Sequence, residues 1–250
     1  MNFFQFDHSF CEAKLWNGPP EYINSLTSII ISIIGIYGLI NNHHNNYNIY
    51  LLYSSLIING ITSFFYHWNN QLGWGLLDRF SMILIAILSI YGGFIELSYL
   101  YKLNNNSKKI FALLSILYFT ILLTVCGLGY EEIFNTLFGI FLALIIFSMY
   151  LINKKADIIN SQIHKLIKNG IIGIILITIA GISWILIEKL CNTVSIMKYL
   201  QGHAIWHIFV SFGGYLISIL LVGLNLDRKN ILNQYYINEK FIKQIEIKFL

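Results

Sequence analysis

The chain has 250 residues, 56% apolar and only 11% charged, with a mean hydropathy of +0.65. A water-soluble domain of this size carries roughly 25% charged residues, so the composition argues against a soluble class and for lipid as the main solvent. The formal net charge of +4 matters through its distribution along the chain, and no nucleic-acid partner is expected.

In chain order, the N-terminal MNFFQFDHSF has neither a basic n-region nor an apolar h-region. No cleavable signal peptide is therefore expected, and the first membrane helix should serve as the insertion signal. Seven apolar segments follow, at about 24–41, 48–67, 76–101, 110–128, 132–152, 169–189 and 203–224. Each has the length that crosses a bilayer core as an α-helix, and the third is long enough to tilt or to extend beyond it. The polar tracts NNHHNN (41–46) and NNN (104–106) read as loops with biased composition. Connections are short, which predicts neighbouring, mostly antiparallel helices. The expected fold is all-α, a polytopic seven-transmembrane-helix bundle in one domain. A short N-terminal segment (1–23) precedes it and a basic tail (225–250) follows, with no internal repeat.

Lys and Arg set the expected orientation. Loops 102–109 and 153–168 and the tail hold Lys102, Lys108, Lys109, Lys154, Lys155, Lys165, Lys168, Arg228, Lys229, Lys240, Lys243 and Lys248. The opposite side holds only Lys14, Lys189 and Lys198. The positive-inside rule then puts the C-terminus in the cytoplasm and the N-terminus outside or in a lumen.

Ionisable side chains within membrane helices are costly and tend to mark function. His67 ends the second segment, Asp78 opens the third, and His203 and His207 open the seventh, so the orientation brings all four to one depth near the outer face. His203 and His207 are spaced i, i+4 and share a helix face with Cβ atoms about 5–6 Å apart. That suits two imidazoles on one tetrahedral zinc, with His67 as a third ligand and a fourth position left for water, the pattern of a catalytic site. Ser63 lies one turn from His67 on the same face, and Asp78 follows across a short loop, near the water position. Metal-free alternatives exist for each part: interfacial histidines, a Ser63 hydroxyl bonded to its own i−4 carbonyl, or an Asp78–Arg79 charge pair. Their convergence from three separate stretches favours the metal. Glu96 lies in the inner half of the third segment and reads either as a buried hydrogen-bond partner or as part of a proton path. His8, His43, His44 and His164 sit in polar flanks and are expected to be solvated.

Ser63-x3-His67, Asp78 eleven positions on, and His203-x3-His207 resemble the alkaline ceramidase family. That family belongs to a wider group of seven-helix membrane proteins with adiponectin-type receptors and Per1-like enzymes. FCE (10–12), PEYINSLTS (20–28), ITSFFYHWNNQLGWGLLDRFSMI (61–83), the Cys191 region and YLQGHAIWH (199–207) agree in content and order. The resemblance spans nearly the whole chain. It implies a zinc amidase that splits ceramide into a sphingoid base and a fatty acid. His67, His203 and His207 would hold zinc, Asp78 would orient and deprotonate the water that zinc activates, and Ser63 would polarise the carbonyl or hold its oxyanion.

The resemblance further implies a calcium site in the N-terminal segment, with Glu12 and Glu21 matching two of its carboxylates. The chain departs from that pattern at Ser9, where an acid is expected, at Phe10 in place of Trp, and at Lys14 in place of an oxygen ligand. It also implies a disulfide between Cys11 and Cys191, while Cys126 reads as a free buried thiol. The implied partner is a membrane lipid, ceramide or a related acyl amide, with no obligatory protein partner. Two other readings remain at this point: a receptor-like member of the wider group, whose N-terminus would face the opposite side, and a hydrolase of another lipid ester or glycolipid.

Overall fold

A computed structural model describes residues 10–41, 46–129, 131–155 and 161–229. These residues form helices and no strand: α1 (Cys11–Trp16), α2 (Tyr22–Asn41), α3 (Tyr47–Asn69), α4 (Leu72–Leu100), α5 (Asn105–Gly127), α6 (Glu131–Lys155), α7 (Ser161–Leu190), α8 (Met197–Leu200) and α9 (Gly202–Arg228). Seven of them, all but α1 and α8, are long and apolar enough to cross a membrane. Their outward faces agree. Leu113, Leu114, Ile116 and Leu117 on α5 and Ile175, Ile179 and Ile182 on α7 are exposed, a surface that lipid solvates and water does not. The chain is thus an all-α, multi-pass membrane protein.

Where helix ends differ from the hydropathy pattern, a polar interaction explains the difference. α5 begins at Asn105 rather than near 110, because the Asn104 side chain caps it by accepting the Ser107 N–H at 2.8 Å. α7 begins at Ser161 rather than near 169. Its first turns are amphipathic, with Ile163, Leu166 and Ile167 buried and His164, Lys165 and Lys168 exposed, so mean hydropathy misses them. α9 continues to Arg228, four residues past its apolar run, and its guanidinium pairs with Glu96 at 3.3 Å. The solvated reading of His164 holds; His8, His43, His44, Ser9 and the tail beyond 229 lie outside the described residues.

The Cα packing separates into two compact units. The first comprises 1–37, 53–82 and 173–215, and the second 38–52, 83–172 and 216–250. Five long helices therefore contribute to both, and α5 and α6 belong to the second alone. In the first unit, α9 meets α7 at Gly213, where an added Cβ would lie 2.6 Å from the Gly173 carbonyl oxygen and 2.7 Å from Ile177. Small residues at such crossings let two membrane helices approach closely. α3 meets α2 similarly at Gly60, whose Cβ would come within 2.7 Å of the Ser28 carbonyl oxygen. Ser32 fixes this pair by donating to the Ile57 carbonyl at 2.8 Å. In the second unit, Glu96 accepts from Arg228 and, at 3.5 Å, from the Asn225 amide. It is a partnered buried group, as the first of its two readings has it.

Gly213→Val should force α7 and α9 apart and lower stability in detergent by about 1–3 kcal/mol. Gly214→Ala, with open space at its Cβ, should leave the melting temperature unchanged. Thermal unfolding of both variants checks this.

Candidate metal centre

Three helices carry polar side chains at i, i+4, i+8 spacing, and these stripes meet. They are Asn24, Ser28 and Ser32 on α2, Asn59, Ser63 and His67 on α3, and His203, His207 and Ser211 on α9, all buried. Four-residue spacing keeps each set on one helix face, so a short polar column can form in otherwise apolar helices. All belong to the first unit.

The three histidines converge, with one ligand atom from each lying within 4.8 Å of the others. His67 and His203 face each other through their Nε2 atoms at 3.2 Å. Two nitrogens bound at roughly 2.0–2.1 Å to one tetrahedral ion stand about 3.3 Å apart, so this separation is the one a shared metal requires. The outward nitrogens of His67 and His207 are engaged elsewhere. His67 Nδ1 lies 2.6 Å from Glu21 Oε2, and His207 Nδ1 lies 3.0 Å from Thr27 Oγ1. Thr27 in turn donates to the Ile23 carbonyl at 2.8 Å, so its oxygen is left to accept from the imidazole. With protons on Nδ1, both rings present Nε2 as the ligand, and outer hydrogen bonds of this kind fix tautomer and ring direction in metal sites. The donor set therefore fits a tetrahedral metal ion. Aromatic rings close over it: Phe10 packs on His203 with centroids 4.0 Å apart, and Trp184 lies 5.1 Å from the same imidazole.

Asp78 and Ser63 join the histidines through a hydrogen-bonded path. The Asp78 carboxylate accepts from Ser63 and from Asn59 Nδ2, the latter at 2.8 Å. Ser63 Oγ lies 3.0 Å from Ser28 Oγ, which is 3.3 Å from His207 Nδ1. Asn59 also donates to Ser81 at 3.0 Å. The Arg79 guanidinium exerts a favourable charge interaction on Asp78. Ser211 bonds back to the His207 carbonyl.

The N-terminal carboxylates have other occupations. Glu12 is fully buried, and its oxygens accept the N–H groups of Ile23 and Asn24 at 2.6 and 2.8 Å. It closes the N-terminus of α2, where helix dipole and unsatisfied amides favour an anion. Burial pushes the Glu12 carboxyl above its ordinary range, the two amide bonds oppose the shift, and the Glu21 carboxylate adds to it. Glu21 Oε2 holds His67 and also accepts the Asn24 amide at 3.0 Å, while the Glu21 N–H donates to the His67 carbonyl at 3.0 Å. Calcium takes six to eight oxygens. Among the described residues this segment offers two carboxylates, each already facing N–H donors or an imidazole nitrogen. Cys11 and Cys191 form a disulfide with Cα atoms 5.9 Å apart, so these sulfurs, though close to Glu188, are no ligands. Glu188 instead accepts the Cys11 N–H at 2.7 Å. Cys126 is free and buried.

Sequence reasoning did not assign Asn59, Ser28 or Thr27, or the contact of Glu21 with His67. The first two were detectable as members of the four-residue stripes. Thr27 and the Glu21 contact depend on how α2 packs against α3 and α9, which no local pattern reports.

Residues 7–245 match the family model described as Ceramidase. No curated protein matches the chain.

Glu21→Gln should weaken retention of an added divalent metal ion roughly 10–100-fold, the usual cost of losing an outer carboxylate partner. Competition with a chromogenic chelator measures it.

Proposed function

The chain belongs to the ceramidase family, and on that basis we propose that it hydrolyses the amide of ceramide-like lipids with one zinc ion held by His67, His203 and His207. The single observation that carries the reading is the pair of facing Nε2 atoms at 3.2 Å, combined with outward nitrogens held by Glu21 and Thr27. Two imidazoles can share an N–H···N hydrogen bond at this distance, but a third imidazole converging on the same point, with the Nδ1 atoms of His67 and His207 held from outside, favours a shared ion.

When bound, zinc supplies Lewis-acid polarisation and brings the pKa of a water to about 7. Hydrolysis then adds water across the C–N bond: the acyl carbon gains hydroxyl, the departing sphingoid amine gains a proton, and a fatty acid is released. We assign Asp78 as the group that carries that proton. It is oriented for this by Asn59 and Ser63, and a positioned carboxylate can act first as base and then as acid. Ser63 is assigned to the carbonyl oxygen. While Asp78 is ionised, the Ser63 hydrogen is given to it. Once Asp78 is protonated it becomes a donor itself, which frees Ser63 to turn towards the oxygen as negative charge develops there. Phe10 and Trp184 limit water around the imidazoles.

The distribution of Lys and Arg supports an N-terminus outside or in a lumen and a cytoplasmic C-terminus. The lipid head would then meet the site near the outer face. We further propose that Glu12 and Glu21 act without calcium, as a helix cap and an imidazole partner.

Purified protein should contain about one zinc per chain by elemental analysis, in keeping with three protein ligands and one open position, and should release fatty acid from ceramide in detergent. Asp78→Asn should keep its zinc and lose about 10²–10⁴-fold in turnover, and Ser63→Ala about 10²–10³-fold. A zinc-free wild-type protein, or full activity in Asp78→Asn, would overturn the reading. Titrating calcium from none to millimolar should change neither turnover nor melting temperature.

A further inference from the structure

A groove of about 380 Å³ lies between α4, α5 and α6 in the second unit, lined by Phe94, Leu97, Phe111, Leu144 and Leu151 with Tyr101 at one end. The size is that of a ligand pocket. No charged side chain lines it, and its two polar side chains are already committed. Ser148 donates to the Ile145 carbonyl at 2.8 Å, and Tyr101 to the Leu151 carbonyl at 3.4 Å.

The Tyr101 end of the groove carries positive charge on α5, on α6 and in the turn that follows α4. Leu151 is followed one turn later by Lys155, Phe111 is preceded one turn earlier by Lys108, and Tyr101 adjoins Lys102. The Lys155 ammonium stands 5.0 Å over the Tyr101 ring and that of Lys108 stands 4.5 Å over the Tyr99 ring. Among the described residues, α5 has no Asp or Glu, α6 has none from Ile133 onward, and Glu96 on α4 is paired with Arg228; Asp157 lies outside the described residues. An apolar slot in a membrane-crossing region, ending in several ammonium groups, matches an amphiphile with a long tail and an anionic head. Basic pockets between membrane helices bind anionic head groups for this reason.

We propose that this groove binds an anionic phospholipid, with one acyl chain in the slot and its phosphate at the rim formed by Lys102, Lys108 and Lys155. None of these residues belongs to the unit that holds the histidines, so the site is separate from the one assigned to hydrolysis.

The test offers phosphatidylglycerol and phosphatidylcholine of matched chains to the full-length protein in detergent and counts retained lipid by native mass spectrometry. With roughly fivefold per ammonium, wild type should prefer phosphatidylglycerol by about tenfold or more. The double variant Lys108→Gln, Lys155→Gln should bring the two lipids close to parity, and Leu144→Trp, which fills the slot, should reduce retention of both. Circular dichroism and a monodisperse elution profile establish that each variant is folded. Wild type needs no substitution for a second measurement: at 1 M salt, where the screening length is about 3 Å, its preference should fall. Equal retention of the two lipids by wild type overturns the proposal. So does a preference that survives both the double substitution and 1 M salt, and so does undiminished lipid retention in Leu144→Trp.

Discussion

A partner on the other nitrogen fixes the tautomer and direction of an imidazole that is to hold a metal, and the contact between Glu21 and His67 at 2.6 Å does this at the point where α2 and α3 meet. Much of the centre follows from it. The carboxylate fixes the proton on Nδ1, which turns Nε2 towards His203, and the same residue's backbone N–H satisfies the His67 carbonyl at the end of α3. Its second partner, the Asn24 amide, lies on the face of α2 that also carries Ser28. One acidic side chain thereby sets the direction of a metal ligand and the register of two helices.

The same economy runs through the first unit. Inside a membrane, polar groups must find partners within the protein, and several here find one of suitable type. Glu12 meets the open amides of α2, Asn59 meets Asp78 and Ser81, and Ser32 meets a carbonyl of α3. The close approaches at Gly60 and Gly213 bring the backbones near enough for short side chains such as serine to reach across. A serine hydroxyl spans little distance, so the small residues and the serine-rich path from Asp78 to His207 are two aspects of one design.

Helix number was legible in the sequence because twenty-odd apolar residues have few alternatives, and the histidines were legible because charge asymmetry gave their segments a common depth. The four-residue stripes were present too, yet a serine or asparagine in a membrane helix has many possible roles, so Ser28 and Asn59 gain meaning only once α2, α3 and α4 are packed. Helix ends followed a different rule. The starts of α5 and α7 and the end of α9 depend on a cap, an amphipathic turn and an ion pair, and hydropathy averages all three away. Glu12 and Glu21 could be picked out as acidic positions, but their partners, an α2 N-terminus and an imidazole, come from packing.

The three converging imidazoles come from α3 and α9, with His67 and His203 136 positions apart. During synthesis the His67–Glu21 pair can form as soon as α2 and α3 are inserted, whereas the other two imidazoles arrive with α9. A single imidazole is a weak site, so a shared ion would need α9 in place beside α3. An ion held there would fasten α9 to α3, and a chain without α9 would keep the His67–Glu21 pair but lose two of the three converging imidazoles.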